Sequence, residues 1–233
     1  FVEVSWDTAL DLVASELARV KGEHGNAAIF GGSYGWGSAG RFHHAQSQLH
    51  RFLNGFGGYV SSVDSYSLGA GRVLMPHIVG NMDWLLAAHT SWQNLAEHCE
   101  MFVAFGGLPL KNAQCSPGGA SDHLVPGAIE RMSQAGVHFV NVSPLRDDLQ
   151  GPVQNEWLAI RPGSDTALMM ALCWVLVEEG LWNEDFLRRY TVGHERFVEY
   201  LRGLPDGVAK SPEWAAALTD LPAERIIGLA REM

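Results

Sequence analysis

The sequence predicts an α/β fold, with a parallel sheet flanked by helices. Three observations carry that expectation. Short strand-like runs rich in apolar residues stand at 101–105, 138–142 and 156–161, and each leads into a loop of Gly, Ser or Pro. Longer stretches with apolar residues at helical spacing alternate with them. Hydrophobic residues make up 47% and charged residues 18% of the 233-residue chain, so a sizeable core can form and disorder is disfavoured. Strands that alternate with helices pair in parallel, with helices covering the sheet.

The elements follow in order. Over residues 5–21, Trp6, Ala9, Leu10, Leu12, Val13, Leu17 and Val20 keep helical spacing behind Ser5, a residue suited to an N-cap. Residues 27–31 read as a short buried strand. Gly31, Gly32, Gly35, Gly37 and Gly40 then fill a loop that carries Ser33, Tyr34 and Trp36. Phe42, Ala45, Gln46, Leu49, Phe52, Leu53 and Phe56 share one face of a helix, which Gly57 and Gly58 end. A Ser-rich loop spans 61–67, and a short helix is expected over 69–79.

From about residue 81 the rhythm becomes strand, loop, helix. The strands at 101–105 and 138–142 are separated by an amphipathic helix over 124–136. A third strand at 156–161 precedes a nearly all-apolar, buried helix over 164–180, with Ser164 as its cap and Gly180 at its end. Short helices are expected at 183–190, 194–203, 212–217 and 222–233. No internal repeat or low-complexity tract is present.

Composition excludes several classes. A formal net charge of −10 disfavours nucleic-acid binding through a bulk basic field. Cys99, Cys115 and Cys173 form no CxxC pair, so neither a zinc ribbon nor an iron–sulfur cluster is expected in this segment. No run of roughly 18 apolar residues offers a membrane span. The opening at Phe1 and the close at Met233, inside a helical pattern, read as internal to a longer chain.

Ligands of an open parallel sheet bind beyond the carboxyl ends of its strands. Three loops stand at expected strand ends: 106–112, with Lys111 and Asn112; 143–147, with Ser143, Pro144 and Arg146; and 161–166, with Arg161, Gly163 and Asp165. Their Gly and Pro residues permit close backbone approach. Lys111, Arg146 and Arg161 offer positive charge to a phosphate, and Asp165 can accept paired donors from a guanine edge. The same residues also make ordinary turns and a helix start. No GxGxxG or GxxxxGK[ST] occurs, so neither a plain dinucleotide fingerprint nor a P-loop is expected.

Longer motifs narrow the reading. The segment Gly31-Gly32-Ser33-Tyr34-Gly35-Trp36 and the helix from Arg41 to Asn54 come first. Tyr66-Ser67-Leu68-Gly69-Ala70-Gly71 and the run from Val73 to Gly80 follow at a matching separation. The set resembles the molybdopterin-dependent oxidoreductases of the dimethyl-sulfoxide/trimethylamine-N-oxide/biotin-sulfoxide reductase family. The resemblance continues through Thr90-Ser91-Trp92, Lys111, residues 143–146 and residues 164–166, and so covers essentially the whole chain. This sequence departs from the family's usual wording at Ser65 and Leu68, around the expected ligand, and at Ser143, where many members carry Asp.

That resemblance implies an internal fragment of a multidomain enzyme. Residues 1–78 would be the first part of an α/β domain carrying the molybdenum-ligand loop. Residues 79–233 would be a truncated Rossmann-like domain contacting a guanine dinucleotide. The implied cofactor is bis(molybdopterin guanine dinucleotide) molybdenum, with Ser67 as the protein ligand to the metal. Tyr34 would point its hydroxyl at the reacting oxygen, and Trp36 would pack over the metal site. Gly35, Trp36, Lys111, Asn112, Ser143, Pro144, Arg146, Arg161, Gly163 and Asp165 would hold the cofactor.

The implied reaction removes oxygen from an S-oxide or N-oxide (trimethylamine N-oxide, dimethyl sulfoxide or biotin sulfoxide) by transfer to Mo(IV). Electrons would come from a c-type cytochrome, a quinol-linked protein or an NADPH/flavin system. Members of this bacterial-type family act in the periplasm or the cytoplasm, and the segment alone is expected to be inactive. Two other readings stand beside this one: a non-catalytic nucleotide-binding α/β module, and a molybdopterin dehydrogenase of formate type, which a serine at position 67 disfavours.

Overall fold

A computed structural model describes residues 1–32, 42–63, 67–86, 90–113, 123–151 and 153–233. The chain divides into two compact units, one covering Phe1–Thr90, the other beginning at Ser91 and containing Leu124–Met233.

In the first unit, α1 (Trp6–His24) starts behind Ser5, whose hydroxyl accepts from the Thr8 amide at 3.2 Å. Gly25, in the left-handed region at φ 75°, ends it, with its N–H on the Lys21 carbonyl. The strand expected over 27–31 does not form. Asn26–Ala28 makes a 3-10 turn, and only the next residues are extended, where Phe30 forms a single parallel bridge with Val60. The turn closes through Ala28 N–H to Gly25 and Ile29 N–H to Asn26, so those groups are taken before a ladder could use them.

The remaining helices of this unit are α2 (Ala45–Gly55), α3 (Gly69–Val79) and the single turn α4 (Asp83–Leu86). His44 caps α2: its Nδ1 accepts from the Ser47 amide at 3.2 Å. Of the apolar stripe expected on α2, Leu53 is buried, whereas Phe42 and Phe52 are exposed. Gly31 packs so closely that a Cβ there would lie 2.2 Å from Leu53 Cδ1.

The second unit holds the sheet. The strands β1 (Met101–Phe105), β2 (His138–Val142) and β3 (Asn155–Leu158) lie side by side in that order, both pairs parallel. Phe105 pairs with Val142, and Val142 with Leu158, so the strands end in register. Side chains alternate across the sheet. Phe102 and Phe139 face α5 (Trp92–His98) and α6 (Leu124–Gln134), with Ile129, Met132 and Leu149 filling that layer. Val140, Val142 and Leu158 face α7 (Asp165–Glu178), α10 (Pro212–Thr219) and α11 (Ala223–Glu232), packing on Leu168, Leu172, Ala215 and Leu229. Helices α8 (Glu184–Tyr190) and α9 (His194–Leu201) complete the unit. The expected α/β class, with a parallel sheet between helices, is what forms.

Local differences have local causes. Helix α5 is absent from the elements expected above, although Ser91 caps it and Trp92, Leu95, Ala96 and Cys99 all pack on the α6-side core. β3 stops at Leu158 rather than continuing to 161, because the Arg161 N–H turns to the Thr219 carbonyl, 2.9 Å away. Ser164 begins α7 but does not cap it with its side chain; its hydroxyl donates backward to the Arg161 carbonyl at 2.6 Å. At the other end, Gly180 donates to the Val177 carbonyl and Leu181 to the Leu176 carbonyl, the Schellman pattern that a left-handed glycine permits.

Two ion pairs clasp the second unit. Arg225 of α11 binds the Glu156 carboxylate of β3 through Nε and Nη2, both at 2.5 Å, and holds that carboxyl below its ordinary range. Lys210, only 2% exposed, donates to Asp206 and to the Val208 carbonyl at 2.6 Å, with its ammonium 4.3 Å from the Tyr200 ring centroid.

Candidate cofactor-binding loops

Because the three strands are parallel and end in register, their carboxyl ends share one edge of the sheet. The loops singled out in the sequence leave from that edge. The first two are sewn together. Gly106 donates to the Val142 carbonyl at 2.9 Å, and Leu108 donates to the Asp148 carbonyl at 2.5 Å. Gly107 sits at φ 74°, and a Cβ there would fall 2.4 Å from Asp148 Cβ and 2.5 Å from its carbonyl oxygen. Only glycine allows that approach. The following 3-10 turn, Leu110–Asn112, leaves Lys111 and Asn112 exposed.

The second loop is built from within. Ser143 is fully buried; its hydroxyl donates to Asp148 Oδ2 at 2.6 Å and accepts from the Leu145 amide at 3.2 Å. Its carbonyl accepts from the Trp157 indole N–H at 2.8 Å. From beneath, Asn141 Nδ2 donates to the Arg146 carbonyl at 3.1 Å and, more weakly, to that of Leu145 at 3.4 Å. Pro144 and Arg146 remain exposed. A polar cavity of about 400 Å³ opens beside Arg146, with Asp147, Gln150, Gln154 and Asn155 among its lining.

In the third loop the Arg161 guanidinium is engaged by Asp220, with bonds of 2.9 and 2.5 Å. Gly163 is left-handed at φ 78°, and Asp165 opens α7, where the helix dipole favours a carboxylate. Among the described residues, then, Lys111 and Arg146 have no carboxylate partner, whereas Arg161 does.

The first unit carries Ser67, exposed in the turn that leads into α3. Tyr34, Gly35 and Trp36 lie outside the described residues. No group of three or more His, Cys, Asp or Glu that could hold a metal occurs among the described residues. No helix among them is long and apolar enough to cross a membrane.

A second cavity, about 550 Å³, lies away from the strand ends between α7, α8, α9 and α11, lined mainly by apolar side chains such as Leu176, Phe186 and Phe197. Cys173 borders it, and burial pushes that thiol up, away from a reactive thiolate.

Four residues that shape the loops were not singled out from the sequence: Asn141, Asp148, Trp157 and Asp220. Asn141 had a signal, being a polar residue within an otherwise apolar strand core. Asp220 had none, since it reaches Arg161 across 59 positions of sequence.

Comparison with known proteins decides the family. The description "Molybdopterin oxidoreductase" matches residues 1–226. The chain belongs to the molybdopterin oxidoreductase family. This molybdopterin oxidoreductase chain is 46% identical over 233 residues to a biotin sulfoxide reductase of Cereibacter sphaeroides, covering 100% of this chain and 31% of that protein. It is 36% identical over 232 residues to a trimethylamine-N-oxide reductase of Haemophilus influenzae, covering 100% of this chain and 28% of that one. It is 38% identical over 231 residues to a dimethyl sulfoxide/trimethylamine N-oxide reductase of Rhodobacter capsulatus, covering 99% and 28% respectively. Among solved structures, acetylene hydratase from Pelobacter acetylenicus is similar with a TM-score of 0.49 and 18% identity, over 98% of this chain and 28% of that one. The chain thus spans about three tenths of the length of the curated relatives it matches.

Proposed function

We propose that this chain is part of a molybdenum-dependent reductase that removes oxygen from an S-oxide or N-oxide. The observation that carries the reading is the 46% identity, over all 233 residues, to a protein named biotin sulfoxide reductase. The relatives named for trimethylamine N-oxide and dimethyl sulfoxide support a substrate class of S- and N-oxides.

The cofactor proposed is bis(molybdopterin guanine dinucleotide) molybdenum. When bound, it supplies two-electron redox chemistry with oxygen-atom transfer. The residues present fit it. The in-register strand ends gather three loops at one edge, two of them presenting the exposed cations Lys111 and Arg146. These cations meet phosphate charge. Exposed Asn112 and the backbone around Pro144 and Gly163 offer hydrogen bonds, and Asp165 accepts from the guanine edge. Arg161, already held by Asp220, contributes by fixing the third loop. Ser143 acts through loop shape, since its hydroxyl is engaged inside the loop.

On residues 1–78, Ser67 serves as the alkoxide ligand to the metal. Coordination to a high-charge metal deprotonates an otherwise very weak acid, and a hard oxygen ligand suits a high oxidation state. A single protein oxygen requires no cluster of His, Cys or carboxylates. Tyr34 would offer a hydrogen-bond donor to a substrate oxygen, and Trp36 would supply an apolar wall to the site.

Elemental mass spectrometry of the full-length parent protein purified from molybdate-fed cells tests the reading. About one molybdenum per chain is expected, together with oxidation of a reduced dye by biotin sulfoxide, trimethylamine N-oxide or dimethyl sulfoxide. A folded protein without molybdenum, made in cells with working cofactor biosynthesis, would overturn it.

A further inference from the structure

Asn141 lies in β2, one residue before the strand's last, and is fully buried. Its Nδ2 donates to the Leu145 and Arg146 carbonyls, while its Oδ1 has no partner among the described residues. A buried acceptor without a donor costs stability. An apolar side chain would therefore serve the core better at this position, as Val140 and Val142 do on the opposite face. What the amide does provide is a fixed tether on the two peptide groups that present Arg146.

We propose that Asn141 is a positioning residue, which holds the Arg146 loop at the carboxyl end of β2 so that the guanidinium meets a phosphate of the bound nucleotide. The phosphate role rests on the cofactor reading above; the tether does not. Two neighbouring contacts limit where the loop can go: Ser143 Oγ to Asp148, and Leu108 N–H to the Asp148 carbonyl. They fix residue 148, and Leu145 is also held, by its N–H on Ser143 Oγ and by its carbonyl accepting from the Asp148 N–H, so it is the Arg146 carbonyl that is left to Asn141 among the described hydrogen bonds. Leu145 and Arg146 are exposed residues, and the Leu145 carbonyl keeps the Asp148 N–H at 3.3 Å once the amide is gone, so the loop can loosen at Arg146 without a large buried defect.

The test uses Asn141→Leu, Asn141→Ala, Arg146→Gln and the double variant Asn141→Leu/Arg146→Gln, with GDP as probe. In Asn141→Leu the unfolding midpoint is expected to stay or rise, while amide exchange at 145–148 and the GDP dissociation constant each increase about tenfold. Asn141→Ala, which cannot overpack, gives the same loop readout. Arg146→Gln weakens GDP as much without changing exchange, and the double variant adds no further loss.

A role confined to core stability predicts the opposite: a lower midpoint with exchange raised along the whole sheet. That result, or unchanged exchange at 145–148, overturns the positioning role. A parent protein that binds no GDP overturns the nucleotide reading and Arg146's phosphate role, and the exchange arm separates that failure from a failure of the tether.

Discussion

Arg225 and Glu156 form a two-bond clasp between α11 and the edge strand β3, with Arg225 also reaching Glu232 at 2.9 Å. The Glu156 carboxyl is held below its ordinary value, first by the hydrogen bonds from Arg225, against the opposing effect of burial. The unfolded chain therefore binds this proton at a higher pH than the folded one does. The contribution is complete above the ordinary carboxylate value and is lost as pH falls through the lowered one. Arg225→Met is expected to destabilise the protein by about 1–2 kcal/mol at neutral pH, and by less near pH 3. Thermal unfolding at both pH values measures it; an equal effect at both would refute the linkage.

Gly107→Ala should be among the most damaging small substitutions. It adds a Cβ where Asp148 already stands and demands a positive φ of 74° from an alanine. The expected loss is about 2–4 kcal/mol, with loosening of both loops that Gly107 joins. Urea denaturation gives the energy, and exchange at 108 and 148 gives the location. A variant as stable as the parent would show that these loops can part freely.

Lys210 is a buried cation whose two hydrogen-bond acceptors, Asp206 and the Val208 carbonyl, belong to the turn that precedes it. Lys210→Met keeps the aliphatic volume and removes the ammonium. Asp206, left behind, is 41% exposed and can be solvated. A loss of about 1–2 kcal/mol is expected, with faster exchange over 203–211 and little change elsewhere. A change spread through the sheet would place the residue in the core instead of in the turn.

In the full-length enzyme, Ser67→Ala is expected to abolish oxide reduction, with the fold intact, because this side chain is exposed. Circular dichroism checks the fold and dye oxidation checks the activity. Turnover equal to the parent would remove Ser67 as the metal ligand. Tyr34→Phe should instead alter rate or substrate preference while molybdenum content stays the same.

Much of the second unit was legible in the sequence. The runs 101–105 and 138–142 and the helix after Asp165 formed as expected, because apolar periodicity is a local property that a sheet buried on both faces reinforces. The first unit was less legible. Gly25 and Asn26 claimed for a turn the hydrogen bonds that a strand at 27–31 required. α5 escaped notice because seven residues offer little periodicity to detect.

The sequence by itself determined the strands at 101–105 and 138–142, most of the helices, the motifs around Tyr34 and Ser67 that resemble the family, and the residue types at the strand ends. Only the tertiary structure decided what each of those residues is free to do. It turned Arg161 onto Asp220, closed the Ser143 hydroxyl inside its own loop, left Lys111 and Arg146 exposed, and set Asn141 beneath the Arg146 loop. The physical reason is range. Backbone preference and amphipathic spacing act between neighbours in the chain, whereas the partner of a charge or a buried amide is whichever group folding brings within about 3 Å.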